Sequence, residues 1–139
     1  MREVITPKDR LMVTIGYLLP LVLPLTFLNI WLTVLYWYVA PYQSPFFDHH
    51  MRENINAQIS YQLYIVIGFI LFFLLGSVAS VGIDWLPDLA KLSIPLFAMG
   101  LMGIIFIIII SWWFVYLIAI IAALAKKYFR FPLIIRFIK

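Results

Sequence analysis

Three long apolar blocks separated by two more polar stretches dominate the chain: Leu11–Ala40, Ile59–Val81 and Leu96–Ala125. A helix needs about 20 apolar residues to cross a hydrocarbon core of about 30 Å, so each block is long enough to span. The runs are continuously apolar and lack the period-two alternation of membrane strands, which argues against a barrel. The first block carries Pro20 and Pro24 near its middle. Each proline removes a backbone donor and clashes with the preceding turn. The pattern predicts a short Pro-broken hairpin, with arms from Leu11 to about Leu19 and from Leu25 to about Val39. At 1.5 Å per residue such arms cover only about 14–23 Å, so the hairpin is expected to be short or partly re-entrant. One kinked, tilted helix is the alternative.

Basic residues choose between these readings. Arg2, Lys8 and Arg10 precede the first block, and Lys126, Lys127, Arg130, Arg136 and Lys139 follow the last. The first connection holds only Arg52, and the second only Lys91 beside Asp84 and Asp88. The positive-inside rule then puts both termini in the cytoplasm, which three crossings cannot do and four can. The expected architecture is an all-α membrane protein, a small four-crossing helical bundle. An amphipathic segment 44–58 and an interfacial C-terminal segment 126–139 lie on the cytoplasmic side, and the acidic connection Gly82–Pro95 lies outside. Trp37, Tyr38, Tyr42 and Trp85 fall at expected boundaries, whereas Trp112, Trp113 and Tyr116 sit deep in the last block.

Composition agrees. Of 139 residues, 65% are hydrophobic and 12% charged, about half the charge of a soluble domain. Without a linker or repeat, residues 1–139 read as a single integral membrane domain of the bacterial inner membrane. The absence of cysteine excludes disulfides, thiolate zinc sites and a thiol nucleophile. A net charge of +4 beside membrane segments points to topology and anionic lipid rather than nucleic acid. The basic start resembles a signal peptide, but its apolar run is too long and no small-x-small cleavage site follows, so retained membrane structure is expected.

The most unusual stretch runs from Ser44 to Ser60. Ser44 followed by Pro45 is a helix start, with serine as cap and proline at the first helical position. Asp48 then suits the positive end of the helix dipole. His50, Asn54, Gln58 and Gln62 recur every four residues and share one helix face. This stripe cannot face lipid without a cost. It could be a hydrogen-bonding seam between helices, a conducting or substrate path, or part of a metal site. For metal, His49, His50 and Glu53 are weak candidates: zinc wants three or four converging ligands, and adjacent histidines point about 100° apart. In the C-terminal segment Pro132 ends any helix, and aromatic rings alternate with cations as at a membrane interface. Arg130 or Arg136 is expected to pair with Asp48 or Glu53. Small residues at Gly76, Ser77, Ala79 and Ser80 and at Ala98, Gly100 and Gly103 predict a close helix contact.

These two peculiar segments also carry a resemblance. The pattern Ser44-Pro45-Phe46, Asp48-x-His50, Arg52-Glu53, Asn56-x-Gln58-Ile59-Ser60 is similar to that of the bacterial domain-of-unknown-function family 4870. So is the later Phe129-Arg130-Phe131-Pro132 with Ile135-Arg136-Phe137-Ile138. Those small membrane proteins resemble the Tic-twenty component of chloroplast import, which implies a four-helix membrane bundle and no particular function. Asn54, Ala57 and the Lys126–Lys127 pair depart from the pattern.

No nucleophile–base pair, phosphate loop or paired-carboxylate constellation is present, so neither enzyme nor cofactor is predicted. The expectation is a non-catalytic scaffold or accessory subunit. It engages another membrane or cytosolic protein, or further copies of itself, through Asp48–Ser60 and Phe129–Ile138. A small channel or translocation component using Asn54, Gln58 and Gln62 is the alternative.

Overall fold

In a computed structural model, residues 4–22, 27–40, 44–80 and 87–138 are described. Four helices follow one another: α1 (Pro7–Val22), α2 (Leu28–Val39), α3 (Pro45–Ser80) and α4 (Asp88–Leu124). Pro24, Leu25, Tyr42, Val81, Gly82, Asp84, Trp85 and the terminal Arg2 and Lys139, all used above, lie outside the described residues, as do the side chains of Ala79 and Ser80.

The first apolar block is indeed broken in two. Its first helix starts earlier than its apolar pattern, at Pro7, because Thr6 and Asp9 cap it. The Asp9 amide donates to Thr6 Oγ1 (3.2 Å), and the Thr6 amide donates to Asp9 Oδ2 (2.8 Å), a reciprocal capping box. Burial pushes the Asp9 carboxyl up, but hydrogen bonds from Ser44 and Thr6 outweigh it and hold it below the usual carboxylate range. Helix α1 also runs through Pro20 to Val22, rather than ending near Leu19. The Tyr36 hydroxyl donates to the Met12 carbonyl (2.9 Å), which ties α2 back onto α1.

Ser44 caps α3 as expected, its Oγ accepting from the Phe47 amide (3.1 Å). Helix α4 begins at Asp88, well before Leu96, and carries Pro95 inside it. The reading of 88–95 as connecting loop is therefore corrected: a proline within an apolar helix removes one hydrogen bond without ending it. The C-terminus of α4 closes with Lys126 in the left-handed region (φ 59°). Lys127 N donates to Ala122 O (2.9 Å) and Lys126 N to Ala123 O (3.1 Å), the paired bonds of a Schellman end.

The chain forms two compact units. One comprises residues 1–62 and 112–139, with a core built around Val13, Tyr17, Phe46, Phe47, Met51, Tyr116 and Phe131. Here the start of α1, the end of α2, the start of α3 and the end of α4 meet at one level. Arg10 Nη1 reaches Leu124 O (3.4 Å), and Trp37 Nε1 donates to Asp48 Oδ1 (3.2 Å). The other unit, residues 63–111, holds the rest of α3 and α4. Its close approach is at Gly68, where an added Cβ would lie 2.8 Å from Ile105 Cγ1. The contact expected at Gly76, Gly100 and Gly103 is corrected: an added Cβ at each meets open space.

Helices α3 and α4 are each long and apolar enough to cross a membrane, whereas α2 is a shorter apolar helix. Only 22% and 17% of their most apolar stretches are buried. A soluble core helix would be covered; these present Phe73, Leu74, Phe97, Phe106 and Ile107 outward, as lipid requires. Among the described residues two helices, rather than four, therefore have the dimensions of full spans.

Candidate functional site

The first half of α3 carries two polar stripes on different faces. The predicted one, His50–Asn54–Gln58–Gln62, is wholly buried in the first unit. The Tyr17 hydroxyl lies 2.7 Å from His50 Nδ1. Asn54 Nδ2 donates to the Gly16 carbonyl (2.9 Å), while Asn54 Oδ1 accepts from Tyr116 (2.7 Å) and from Gln58 Nε2 (3.1 Å). Gln58 Nε2 also donates to Thr33 Oγ1 (2.8 Å). Gln62 Nε2 donates to Asn29 Oδ1 (2.8 Å), and Gln62 Oε1 accepts from the Phe27 amide at the start of α2 (3.2 Å). The stripe thus joins α3 to α1, α2 and α4, and it ends where the α1–α2 hairpin turns.

One of these bonds has a specific cause. Pro20 has no N–H, so the Gly16 carbonyl loses its helical donor. Asn54 supplies one instead. The missing Cβ of Gly16 leaves room for another α3 side chain, Met51, whose Sδ would lie 2.6 Å from an added Cβ.

The second stripe, His49–Glu53–Asn56–Ser60, grips the C-terminal segment. His49 Nε2 donates to Phe129 O (3.1 Å). Glu53 Oε2 accepts from the Phe131 amide (3.2 Å) and its Oε1 from Arg136 Nε (3.2 Å). Asn56 Oδ1 accepts from the amides of Phe137 (3.0 Å) and Ile138 (2.9 Å), and its Nδ2 donates to Ile138 O (2.9 Å). Ser60 Oγ accepts from the Ile135 amide (2.9 Å) and donates to its carbonyl (3.2 Å). The segment forms no helix or strand beyond a turn at 132–133, so α3 side chains replace the ladder its backbone lacks. Of the four pairings considered, Arg136–Glu53 forms, while Asp48 pairs with Arg52 of its own helix (2.9 Å).

The aromatic residues deep in the last block face inward in part. Trp112 stacks on Tyr116 and meets Tyr61 edge-on, both at 4.6 Å between ring centres, whereas Trp113 stays exposed. His49 and His50 turn to different partners, and no group of three metal-ligating side chains occurs among the described residues.

What remains open is a cleft of about 350 Å³ lined by Asp48, His49, Arg52, Glu53, Arg130, Arg136 and Ile138. Pro132 lies on the exposed turn beyond it. Sequence reasoning missed Tyr17, Asn29, Thr33 and the second stripe. Asn29 and Thr33, four apart in an apolar block, carried a readable signal of a shared inward face.

No curated protein and no solved structure matches the chain. The resemblance to family 4870 and to the Tic-twenty component is overturned by a match of another kind, over almost the whole chain. Residues 8–138 match the magnetosome magnetite crystal formation protein family (MamF/MmsF), and the chain belongs to that family.

Proposed function

We propose that the chain is a non-catalytic scaffold or accessory subunit of the magnetosome membrane that takes part in magnetite crystal formation. The family supplies the process. The observation that carries the scaffold role is the double clamp on α3. Its two polar stripes make most of their hydrogen bonds within the chain, His50 Nε2 and Gln58 Oε1 being buried without a partner among the described residues, and they bind the block 44–60 and the tail 128–138 into one preorganised surface. A preorganised surface loses less entropy on docking a partner. In this reading α3 and α4 cross the membrane, both termini face the cytoplasm, and the α1–α2 hairpin enters the bilayer from that side.

Purification of the tagged chain from its native membranes in mild detergent should bring down a stoichiometric protein partner. Recovery of the chain alone, as a monomer or homo-oligomer, would overturn the accessory-subunit role and favour a flux assay in liposomes. A strain lacking the chain should form magnetite crystals of altered size by electron microscopy. Unchanged crystals would detach the chain from the family's process.

A further inference from the structure

The cleft beside the clamp carries more positive charge than its own carboxylates can use. Three arginines against two carboxylates leave a formal charge of +1. Asp48 is taken by Arg52, and Glu53 accepts from both Arg136 and the Phe131 amide. Arg136 engages Glu53 through Nε (3.2 Å) and makes no other bond among the described residues. Arg130 is exposed and has no partner among them. Guanidinium groups converging on a cleft of this size favour an anion with several acceptor oxygens, phosphate above all.

The surroundings say where that phosphate comes from. Leu133 is 90% exposed and sits in the left-handed region (φ 56°), a backbone conformation unfavourable for a bulky residue. Ile135, Phe137 and Tyr128 are exposed beside it. Apolar side chains projecting between cations are the arrangement of a segment lying in the headgroup layer, with its rings and aliphatic groups toward the acyl chains. We infer that the Asp48–Arg52–Arg130–Arg136 cleft binds the phosphate of an anionic lipid headgroup, with Arg130 and Arg136 as its donors. The lipid would then fix the depth at which the clamped tail lies in the interface.

The inference rests on membrane placement of the clamp but needs no protein partner, so it is tested on the purified full-length chain. Thermal unfolding in neutral detergent would be followed against short-chain phosphatidylglycerol, short-chain phosphatidylcholine and inorganic phosphate. Phosphatidylglycerol should raise the midpoint saturably and more than phosphatidylcholine. Arg130→Gln should need about tenfold more lipid for the same shift, the effect of losing one charge-assisted contact. Arg130→Lys, which keeps the charge without the fork, should fall between. A midpoint shift by inorganic phosphate with the same Arg130 dependence would support the site and assign it to free phosphate. No shift with either ligand, or a phosphatidylglycerol effect unchanged in Arg130→Gln, would overturn it. Arg130 holds no other part of the described chain, so its variants should match the wild-type midpoint without ligand.

Discussion

At the scale of single residues, the three-way relation among Gly16, Pro20 and Asn54 shows how a membrane helix tolerates a proline. The proline removes the donor that the Gly16 carbonyl would have had, and an asparagine from α3 fills the vacancy at 2.9 Å. Asn54→Ala should therefore destabilise the protein in detergent by about 2 kcal/mol, since the Gly16 carbonyl and the Tyr116 hydroxyl both lose a partner. Pro20→Ala restores the helical donor to Gly16. In that background the cost of Asn54→Ala should shrink by about 1 kcal/mol. Denaturation of the four proteins of this cycle checks it, and an equal cost in both backgrounds excludes the proposed relation. That Asn54 faces inward was legible from its four-residue spacing with His50, Gln58 and Gln62. Its partner was not, because a carbonyl freed on another helix leaves no mark in the spacing.

At the scale of elements, α3 is a helix whose two polar faces have different tasks. One holds helices and the other holds a segment that forms no helix or strand. The buried Glu53 links the tail backbone to a half-exposed Arg136. Arg136→Ala leaves that carboxylate charged with one partner fewer, and solvent screening of the arginine limits the cost to about 1 kcal/mol. Glu53→Gln should cost less, because a neutral amide still accepts from Phe131 and needs no cation. The double variant should then be no less stable than Glu53→Gln alone, as read by thermal midpoints; additive losses would exclude this. Simple charge exchange is a poor test, since arginine at position 53 cannot accept the Phe131 amide. At the end of α4, Lys126→Gly should raise stability by about 0.5–1 kcal/mol, because glycine adopts the left-handed turn without its steric cost. A lowered midpoint in Lys126→Gly would mean that the lysine side chain contributes more than its backbone costs. The helix starts at Pro7 and Pro45 were both written in the sequence, as Thr6-Pro7-Lys8-Asp9 and Ser44-Pro45, yet only the second was read. The first was hidden by the apolar pattern that starts at Leu11. The grip on the tail was legible only as one ion pair, since backbone amides carry no residue signature.

At the scale of the whole molecule, helix lengths constrain how the chain meets a bilayer. Helix α3 has 36 residues and α4 has 37, or about 54–56 Å at 1.5 Å per residue. Both exceed a core of about 30 Å, so part of each must project beyond it. Helices α1 and α2, with 16 and 12 residues, reach only about 24 and 18 Å and fall short of it. The charge count asks for both termini on one side, and a hairpin that enters and leaves on one face satisfies it as well as two crossings do. The chain contains no cysteine, so single cysteines can report each position against an impermeant thiol reagent without background. Cysteines replacing Lys8 and Arg130 should label from the cytoplasmic side and one replacing Lys91 from the opposite side. A cysteine replacing Leu28, at the hairpin's turn, should label from neither side. Labelling of Leu28→Cys from the side that reaches Lys91→Cys would mean that α1 and α2 cross fully, with the bilayer thinned around them. Labelling of Lys8→Cys and Arg130→Cys from different sides would overturn the shared placement of the termini. The clamp on the tail would then face the cytoplasm only if Arg130→Cys were the one labelled from that side.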